Sequence, residues 1–416
     1  MQYFKHRNNT LYAENVSTAS IADQFGTPCY VYSKSAIETQ WQSYEDALQS
    51  HPHLICYSVK ANSNIAILNL LAKKGSGFDV VSIGEIERVL AAGGKAGKII
   101  FSGVGKQSHE IKRALEVGIR CFNVESEAEL ERINHIAASL NRKAPVSIRV
   151  NPDVDPKTHP YISTGLKENK FGIDINDALS IYVEASRMNN LDIVGIDCHI
   201  GSQITEPAPF QDAFNRVLSL VDELKENNIL IQHIDMGGGL GICYNNETPP
   251  SPMEYIQPLL QQLSDSPLEL ILEPGRSIVG NAGILLTTVE YIKCTTYCNF
   301  AIIDAAMNDL LRPALYQAWQ DIKAISKHSS ANEKTYDIVG PICESGDFLG
   351  KQRTLSITEG DRLAIYSAGA YGFTMSSNYN SRPRVAEVMV DNDQAYLIRK
   401  RETIRDLFEG ETILPD

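Results

Sequence analysis

Residues 54–82, LICYSVKANSNIAILNLLAKKGSGFDVVS, contain one unit of the pattern that decides the fold. A short apolar run, LICYSV, is followed by IAILNLLAKKG, whose apolar residues recur at helical spacing, and then by a second apolar run, GFDVV. A strand, a crossover helix and a second strand in this order form a unit of parallel sheet. This stretch therefore predicts a β/α fold.

The same alternation extends from about residue 29 to residue 276. Its strand-like segments are CYVYS (29–33), LICYSVKA (54–61), GFDVVS (77–82), KIIFSG (98–103), CFNVES (121–126), VSIRVNP (146–152), IVGIDCHIG (193–201), HIDMGGGL (233–240) and LELILEP (268–274). Such an alternation predicts a parallel sheet, either open and doubly wound or closed into a barrel. Eight or so repeats within roughly 250 residues favour the (β/α)8 TIM barrel.

After residue 276 the pattern changes to strand-like runs separated by turns, which is typical of an all-β barrel or sandwich. The runs are ILLTTVEYIKC (284–294), NFAIIDA (299–305), TYDIVG (335–340), DRLAIYSA (361–368), RVAEVMV (384–390) and QAYLIRK (394–400). Residues 1–28 either join this region or cap the barrel. We therefore expect a barrel domain over 29–276 and a β domain formed by 1–28 with 277–416.

Composition excludes several classes of protein. Hydrophobic residues make up 43% of the 416 residues and charged residues 21%, and no stretch approaches the ~20 apolar residues that cross a bilayer. The amino terminus lacks a secretory pattern. We therefore expect a cytoplasmic protein without membrane contact.

The charges and the cysteines narrow the class further. A net charge of −13 without a basic run disfavours nucleic-acid binding, which needs concentrated Lys and Arg. The eight cysteines form no CxxC pair, so they fit neither a zinc site nor a disulfide framework. We expect no metal site.

Polar residues are unusually frequent at the predicted carboxyl ends of the strands, where barrels gather their functional groups. They are Lys60, Asp79, Arg149, Asn151, His199, Gly237–Gly239, Glu273 and Arg276. An unpaired ammonium on an otherwise apolar strand is costly, so Lys60 is expected either to pair with a carboxylate or to form a Schiff base.

The glycine turns follow the last two strands of the predicted barrel, where phosphate sites are frequent. Gly237–Gly239 either cradle an anion with their backbone N–H groups or simply make a tight turn. Glu273 is either a solvated turn residue or the partner of a protonated ring nitrogen. His199 is either a structural histidine or a group that stacks on a ring. An amine, a phosphate turn and an acid together suit pyridoxal 5′-phosphate (PLP).

Motifs along the whole chain resemble those of the diaminopimelate decarboxylases, which belong to the alanine-racemase-like barrel class of PLP enzymes. The matching segments are YSVKANSN (57–64), FDVVSIGE (78–85), CHIGSQI (198–204), DMGGGLGI (235–242), EPGRSIVGNAG (273–283), DAAMNDLLRPALY (304–316), VGPICESGDFLG (339–350) and GAYGFTMSSNYNSRPR (369–384). The chain departs from the family at Ala306, Trp319 and Gln320.

The resemblance implies a role for each matching residue. Lys60 would bind the cofactor aldehyde, His199 would stack on the ring, and Glu273 would face the ring nitrogen. The resemblance also implies that the following residues surround the cofactor: Asp79, Ser202, Gly238, Gly239, Gly275, Arg276 and Tyr371. Around the substrate it implies Arg276, Arg312, Tyr316, Glu344 and Tyr371, with Cys343 donating a proton from the partner subunit of a homodimer.

The implied reaction is decarboxylation of meso-2,6-diaminopimelate to L-lysine, the last step of lysine biosynthesis, through an external aldimine and a quinonoid. Decarboxylation of ornithine, arginine or carboxynorspermidine is the alternative within the barrel class. Arg276 and Arg312 beside Glu344 favour a substrate tail that carries both a carboxylate and an ammonium. Glu273 disfavours a racemase of the alanine type. Lys60 and Cys343 disfavour a PLP carrier that lacks turnover.

Overall fold

The computed structural model describes residues 3–155, 170–264, 266–326 and 332–416. The chain divides into two compact units. The first, called the barrel unit here, comprises Gln40–Ile242 and Thr248–Ser277. The second, called the β unit, comprises Met1–Thr39, Cys243–Glu247 and Ile278–Asp416.

The barrel unit is a closed barrel of eight parallel strands, as the sequence predicted. Its last strand pairs with its first, and its fourth pairs with its fifth, so the ring of strands has no free edge. In chain order the strands are His53–Ser58, Gly77–Val80, Ile99–Phe101, Cys121–Val124, Ala144–Asn151, Leu191–Asp197, His233–Asp235 and Glu269–Leu272. A two-residue strand, Ile173–Asp174, adds to the fifth.

Helices alternate with these strands. They are Ile65–Lys73, Ile83–Ala91, Ser108–Val117, Glu127–Ser139, Ile175–Ala185, Ala208–Glu226 and Pro252–Gln262, with Lys34–Leu48 before the first strand and Arg276–Val279 after the last. Among the residues that the structure describes, no helix is both long enough and apolar enough to span a membrane.

Helix caps fix the loops that follow the barrel strands. The side chain of Asn64 accepts the Ala66 N–H at 2.9 Å, and Ser82 accepts the Glu85 N–H at 3.3 Å. Each such bond satisfies an otherwise unpaired donor at a helix start and stabilises it by about 1 kcal/mol. The carboxyl end of the barrel therefore carries its side chains on defined turns.

The β unit is built around one large sheet. Its strands run, in spatial order, Phe348–Leu355, Lys334–Val339, Asn299–Ile303, Gly283–Cys294, Cys29–Ser33, Ala386–Asp391 and Gln394–Arg399. Arg362–Ile365 pairs with Gly283–Cys294 and with Ile322–Ala324. A small sheet of Phe4–Arg7, Thr10–Ala13 and Val16–Ser17, and the helices Thr18–Phe25 and Arg312–Tyr316, belong to the same unit. Short 3₁₀ turns occur in both units at Val59–Ala61, Ala96–Lys98, Gly280–Ala282, Phe373–Met375, Tyr379–Ser381 and Arg405–Leu407.

The assignment of CYVYS to the barrel was wrong. Cys29–Ser33 pairs antiparallel with Gly283–Cys294 and parallel with Ala386–Asp391, in the centre of the large β-unit sheet. All five of its residues are buried. A strand that is buried on both faces reads as a continuous apolar run, so its pattern cannot tell which of two sheets contains it. The unit boundary accordingly falls after Thr39 and not after residue 28.

Candidate active site

Lys60 and Asp79 form an ion pair at the carboxyl ends of the first two barrel strands. The Lys60 Nζ lies 2.6 Å from Asp79 Oδ2, and the Ser58 hydroxyl donates to the same oxygen at 2.5 Å. Burial raises the pKa of Asp79, but the Lys60 ammonium and the hydrogen bonds outweigh it and hold that pKa below its usual value. Asp79 is fully buried, whereas the Lys60 side chain is 37% exposed. The amine is therefore held in place yet open to a small molecule.

Three buried carboxyl groups meet inside the barrel. Asp197, Asp235 and Glu273 each offer an oxygen, and these oxygens lie within 4.8 Å of one another. Burial, followed by the neighbouring carboxylates, raises the pKa of Glu273 and of Asp197 well above the usual value, and burial raises that of Asp235 to about 6. Like charges this close oppose joint ionisation, so a cation beside Glu273 would be strongly favoured.

Arg149 compensates part of this negative charge. Its guanidinium donates to Glu125 Oε1 at 2.8 Å and lies 3.8 Å from Asp197 Oδ2, and all three side chains are buried. It also donates to the backbone oxygen of His199 at 3.4 Å. Arg149 therefore ties the end of the sixth strand to the acidic interior.

The imidazole of His199 is neutral. Burial and the positive charges of Arg149 and Lys60 lower its pKa to about 3. Its Nδ1 accepts the Gly238 N–H at 3.1 Å, which places the ring proton on Nε2. A neutral, fixed imidazole is suited to stacking on a flat heterocycle.

The Gly237–Gly239 turn tolerates no side chain at any of its three positions. Gly237 has φ +62° and would bring a Cβ within 2.7 Å of His199 Nδ1. A Cβ on Gly238 would lie 2.3 Å from the Glu273 backbone oxygen. Gly239 has φ +111° and would bring a Cβ within 2.5 Å of the Gly201 oxygen. Asp235 accepts the Gly237 N–H at 2.8 Å and fixes the start of the turn. The backbone of this turn is thus packed closely against its neighbours and fixed in one conformation.

A buried arginine completes the polar face beside this turn. Arg276 follows Gly275 and begins the helix after the eighth strand, and its Nη2 donates to the Ser202 hydroxyl at 2.9 Å. The ends of the sixth, seventh and eighth strands therefore supply a hydroxyl, glycine backbone and a guanidinium, a donor set that suits a phosphate group.

Five of the predicted site residues lie in the β unit. They are Arg312, Tyr316, Cys343, Glu344 and Tyr371. Cys343 and Glu344 are exposed on the loop between Lys334–Val339 and Phe348–Leu355. The Tyr379 hydroxyl donates to Glu344 Oε1, and Asn380 Oδ1 accepts the Cys343 N–H at 3.0 Å.

Arg312 is buried and its guanidinium carbon lies 4.4 Å from the centre of the Tyr244 ring, a cation–π contact. Asp309, the acid nearest to it in sequence, accepts the Ala306 N–H at 3.0 Å and the Asn308 amide at 3.2 Å. Tyr371 has φ +54°, a conformation that is rare for a bulky residue and that concentrates at functional sites.

Ordinary local contacts surround the three residues that depart from the family pattern. The Trp319 ring lies 3.1 Å from the guanidinium carbon of Arg353, and Gln320 donates to the Ser367 backbone oxygen at 2.9 Å. Ala306 is fully buried.

Sequence reasoning missed Asp197 and Asp235 and gave Arg149 no role. The available signal was a carboxylate inside an otherwise apolar strand, in GIDC and HIDM. Asn151 serves the local backbone, because its Oδ1 accepts the Asp153 N–H at 3.0 Å.

Comparison with known proteins shows which protein family the chain resembles. Residues 34–280 match the model described as pyridoxal-dependent decarboxylase, pyridoxal binding domain. Diaminopimelate decarboxylase of Pseudomonas aeruginosa is 58% identical over 415 residues, which cover 100% of both chains. The enzyme of that name from Vibrio cholerae is also 58% identical over the full length.

Solved structures of diaminopimelate decarboxylases are also similar to this chain. The diaminopimelate decarboxylase of Helicobacter pylori, complexed with L-lysine, superposes with a TM-score of 0.91 at 44% identity, covering 94% of this chain and 98% of that one. The M. jannaschii enzyme superposes with a TM-score of 0.94 at 39% identity, covering 100% and 98%.

Proposed function

The chain belongs to the family of pyridoxal-dependent decarboxylases, and we propose that the carboxyl end of its barrel is the active site. The protein uses pyridoxal 5′-phosphate to decarboxylate meso-2,6-diaminopimelate to L-lysine and carbon dioxide. The observation that carries the site assignment is a primary amine, Lys60, held by a buried carboxylate at the strand ends where the glycine turns and the buried acids also lie.

The residues present fit the cofactor. A Cβ on Gly238 or Gly239 would overlap neighbouring backbone, so this turn presents backbone without side chains, and Ser202, Gly275 and Arg276 would be donors to a phosphate. Glu273 lies among carboxyl groups that favour a cation, as a protonated pyridine nitrogen would be. Bound PLP supplies an aldehyde that condenses with amines and a ring that accepts the electron pair released with carbon dioxide.

Each residue then has a specific task. Lys60 would hold the cofactor through its aldehyde, and Asp79 orients the Lys60 amine. Glu273 would keep the ring nitrogen protonated, which is an electrostatic contribution of the kind that dominates many enzymes. His199 would stack on the ring as a neutral imidazole. Gly238, Gly239 and Tyr371 would also surround the phosphate.

The substrate is held by the residues that the resemblance indicated. Arg276, Arg312, Tyr316 and Tyr371 bind its polar groups, and Glu344 receives the distal ammonium. An ammonium and a carboxylate at the same end of a substrate need both an acid and an arginine, whereas ornithine needs only the acid. Cys343 returns a proton to the α-carbon after carbon dioxide has left.

The active form is a homodimer with shared active sites, in which Cys343 and Glu344 serve the partner's barrel. Their exposure on a loop of the β unit supports this arrangement. A cytoplasmic location stays a prediction, and the free thiols of all eight cysteines suit a reducing compartment.

Borohydride reduction of the purified protein tests the site assignment. We expect the cofactor to become fixed to Lys60, as read by peptide mapping, and Lys60→Ala to lose both the adduct and carbon dioxide release. Lys106 is an internal control, because its buried Nζ donates to three oxygens at 2.7–2.9 Å and is not available for condensation. An adduct on a lysine other than Lys60 in active protein would refute the assignment.

A further inference from the structure

The carboxylate of Asp347 binds two separate backbone segments. Its Oδ1 accepts the Met307 N–H and its Oδ2 accepts the Ile342 N–H, both at 2.7 Å. Asp347 itself is only 3% exposed although it ends a loop whose other polar residues are exposed. Burial raises the pKa of Asp347, and the bonds from the Met307 and Ile342 N–H groups offset part of that shift.

The segment that Asp347 holds is the turn Pro341–Gly346, which carries Cys343 and Glu344. No strand or helix includes it, so a few hydrogen bonds determine its conformation. The Asp347 N–H closes the turn on the Glu344 oxygen at 3.1 Å. The Asp347 side chain contacts the turn from its buried side, by accepting the N–H of Ile342, the residue immediately before Cys343.

A second set of contacts holds the same turn from its exposed side. Asn380 Oδ1 accepts the Cys343 N–H at 3.0 Å, and Tyr379 donates to the Glu344 carboxylate. The turn is thus fixed at three successive residues, Ile342, Cys343 and Glu344, within a single chain. Of these contacts only that of Asp347 is buried and links the turn to the Met307 loop.

We propose that Asp347 is a positioning residue for decarboxylation, which fixes the turn that presents Cys343 and Glu344. The inference rests on the proposed function, in which these two residues return the proton and bind the distal ammonium. Asp347 acts through them and touches neither the substrate nor the cofactor. A carboxyl group offers one oxygen to each N–H, whereas an amide offers one oxygen and turns an N–H donor toward the other N–H.

The variant Asp347→Asn tests this proposal. Hydrogen exchange of the peptide that contains Ile342–Glu344 should become about 10-fold faster or more, since a buried donor loses its acceptor. The kcat/KM for meso-diaminopimelate should fall roughly 10- to 100-fold, with cofactor content unchanged. Asp347→Glu, which keeps both acceptor oxygens, should retain more activity than Asp347→Asn.

A double-mutant cycle separates positioning from general stability. In a Cys343→Ala background, Asp347→Asn should lower kcat much less than it does in the wild type, because the proton donor whose place it fixes is already gone. Asp406→Asn is the matched control: its carboxylate accepts the Thr403 N–H at 2.7 Å in an exposed turn of the same unit, and its loss should leave turnover unchanged.

Two results would overturn the proposal. One is unchanged exchange at Ile342–Glu344 in Asp347→Asn. The other is an equal loss of kcat from Asp347→Asn with and without Cys343. Failure of the wild type to release carbon dioxide from diaminopimelate would instead refute the proposed function, and the exchange measurement would still decide whether Asp347 holds the turn.

Discussion

Glu273 is a buried acid whose pKa is raised well above its usual value, first by burial and then by the neighbouring carboxylates. It is buried beside Asp197 and Asp235, and a protonated ring nitrogen is the cation that this environment favours. Glu273→Gln keeps the volume but cannot hold that charge, so we expect kcat to fall on the order of 10²-fold or more with cofactor still bound. Steady-state kinetics with absorbance spectra measure both quantities.

Glu87→Gln is the matched control for this change, because Glu87 forms an exposed ion pair with Arg113 on the barrel surface. Exposed pairs of this kind contribute little to stability. Near-normal turnover of Glu273→Gln would place the acid that serves the ring elsewhere.

Arg312 tests the binding of the distal end of the substrate. Arg312→Met keeps much of the volume but removes every N–H donor and the positive charge over the Tyr244 ring. Loss of a charge-assisted contact of ~1.5–3 kcal/mol corresponds to roughly a 10- to 150-fold lower kcat/KM for meso-diaminopimelate. The cofactor content should stay at the wild-type level. A loss of a few-fold that is equal for every amino acid tested would remove Arg312 from the substrate site.

At the scale of elements, the turn after the seventh strand is a piece of backbone that excludes side chains. A Cβ on Gly238 would overlap the Glu273 oxygen, so Gly238→Ala must displace either the turn or the end of the eighth strand. We expect the dissociation constant for PLP to rise at least 10-fold, because phosphate donors that move apart lose charge-assisted bonds of ~1.5–3 kcal/mol. Fluorescence titration of the apoprotein measures this constant.

Gly105→Ala provides the control, because a Cβ on Gly105 would meet nothing within 4 Å. It should bind PLP as the wild type does. Equal affinities of the two alanine variants would mean that the Gly237–Gly239 turn does not hold the phosphate.

Eight of the nine strand-like segments between residues 29 and 276 are barrel strands, because their alternation with amphipathic helices is a local property of the sequence. Cys29–Ser33 was assigned to the wrong sheet because local sequence does not determine which strands a strand pairs with. Its neighbours, Gly283–Cys294 and Ala386–Asp391, lie more than 240 residues further along the chain. The buried run fits either sheet equally well.

The difference between local and long-range signals also explains which residues of the site could be predicted from the sequence. Lys60, His199, Glu273 and the glycine turns could be found because each is a polar or flexible residue next to an apolar strand. The ion pairs of Arg149 with Glu125 and Asp197 join neighbouring strands and have no signature in either segment alone. Asp347 likewise was read only as part of a family motif, since its contact with Met307 spans 40 residues.

At the scale of the whole molecule, the proposed dimer predicts complementation between two chains with different defects. Lys60→Ala lacks the cofactor amine and Cys343→Ala lacks the proton donor. After subunit exchange, one of the two sites in each hybrid should contain both groups, so activity should recover to roughly a quarter of the wild-type value.

The control for this experiment mixes Lys60→Ala with the double variant Lys60→Ala/Cys343→Ala, in which every site lacks the amine. It should stay inactive. Demonstrated subunit exchange without recovery in the first mixture would mean that both residues act within one subunit.

The most direct test of the account is carbon dioxide release by the purified enzyme from meso-diaminopimelate, lysine, ornithine and arginine, measured in parallel with product identification. A tail that bears both a carboxylate and an ammonium matches the arginines and Glu344, and each missing charge-assisted contact costs ~1.5–3 kcal/mol. We therefore predict that kcat/KM for meso-diaminopimelate exceeds that for each other amino acid by at least roughly 100-fold, with L-lysine as the product. Comparable or faster release from ornithine or arginine would contradict the account.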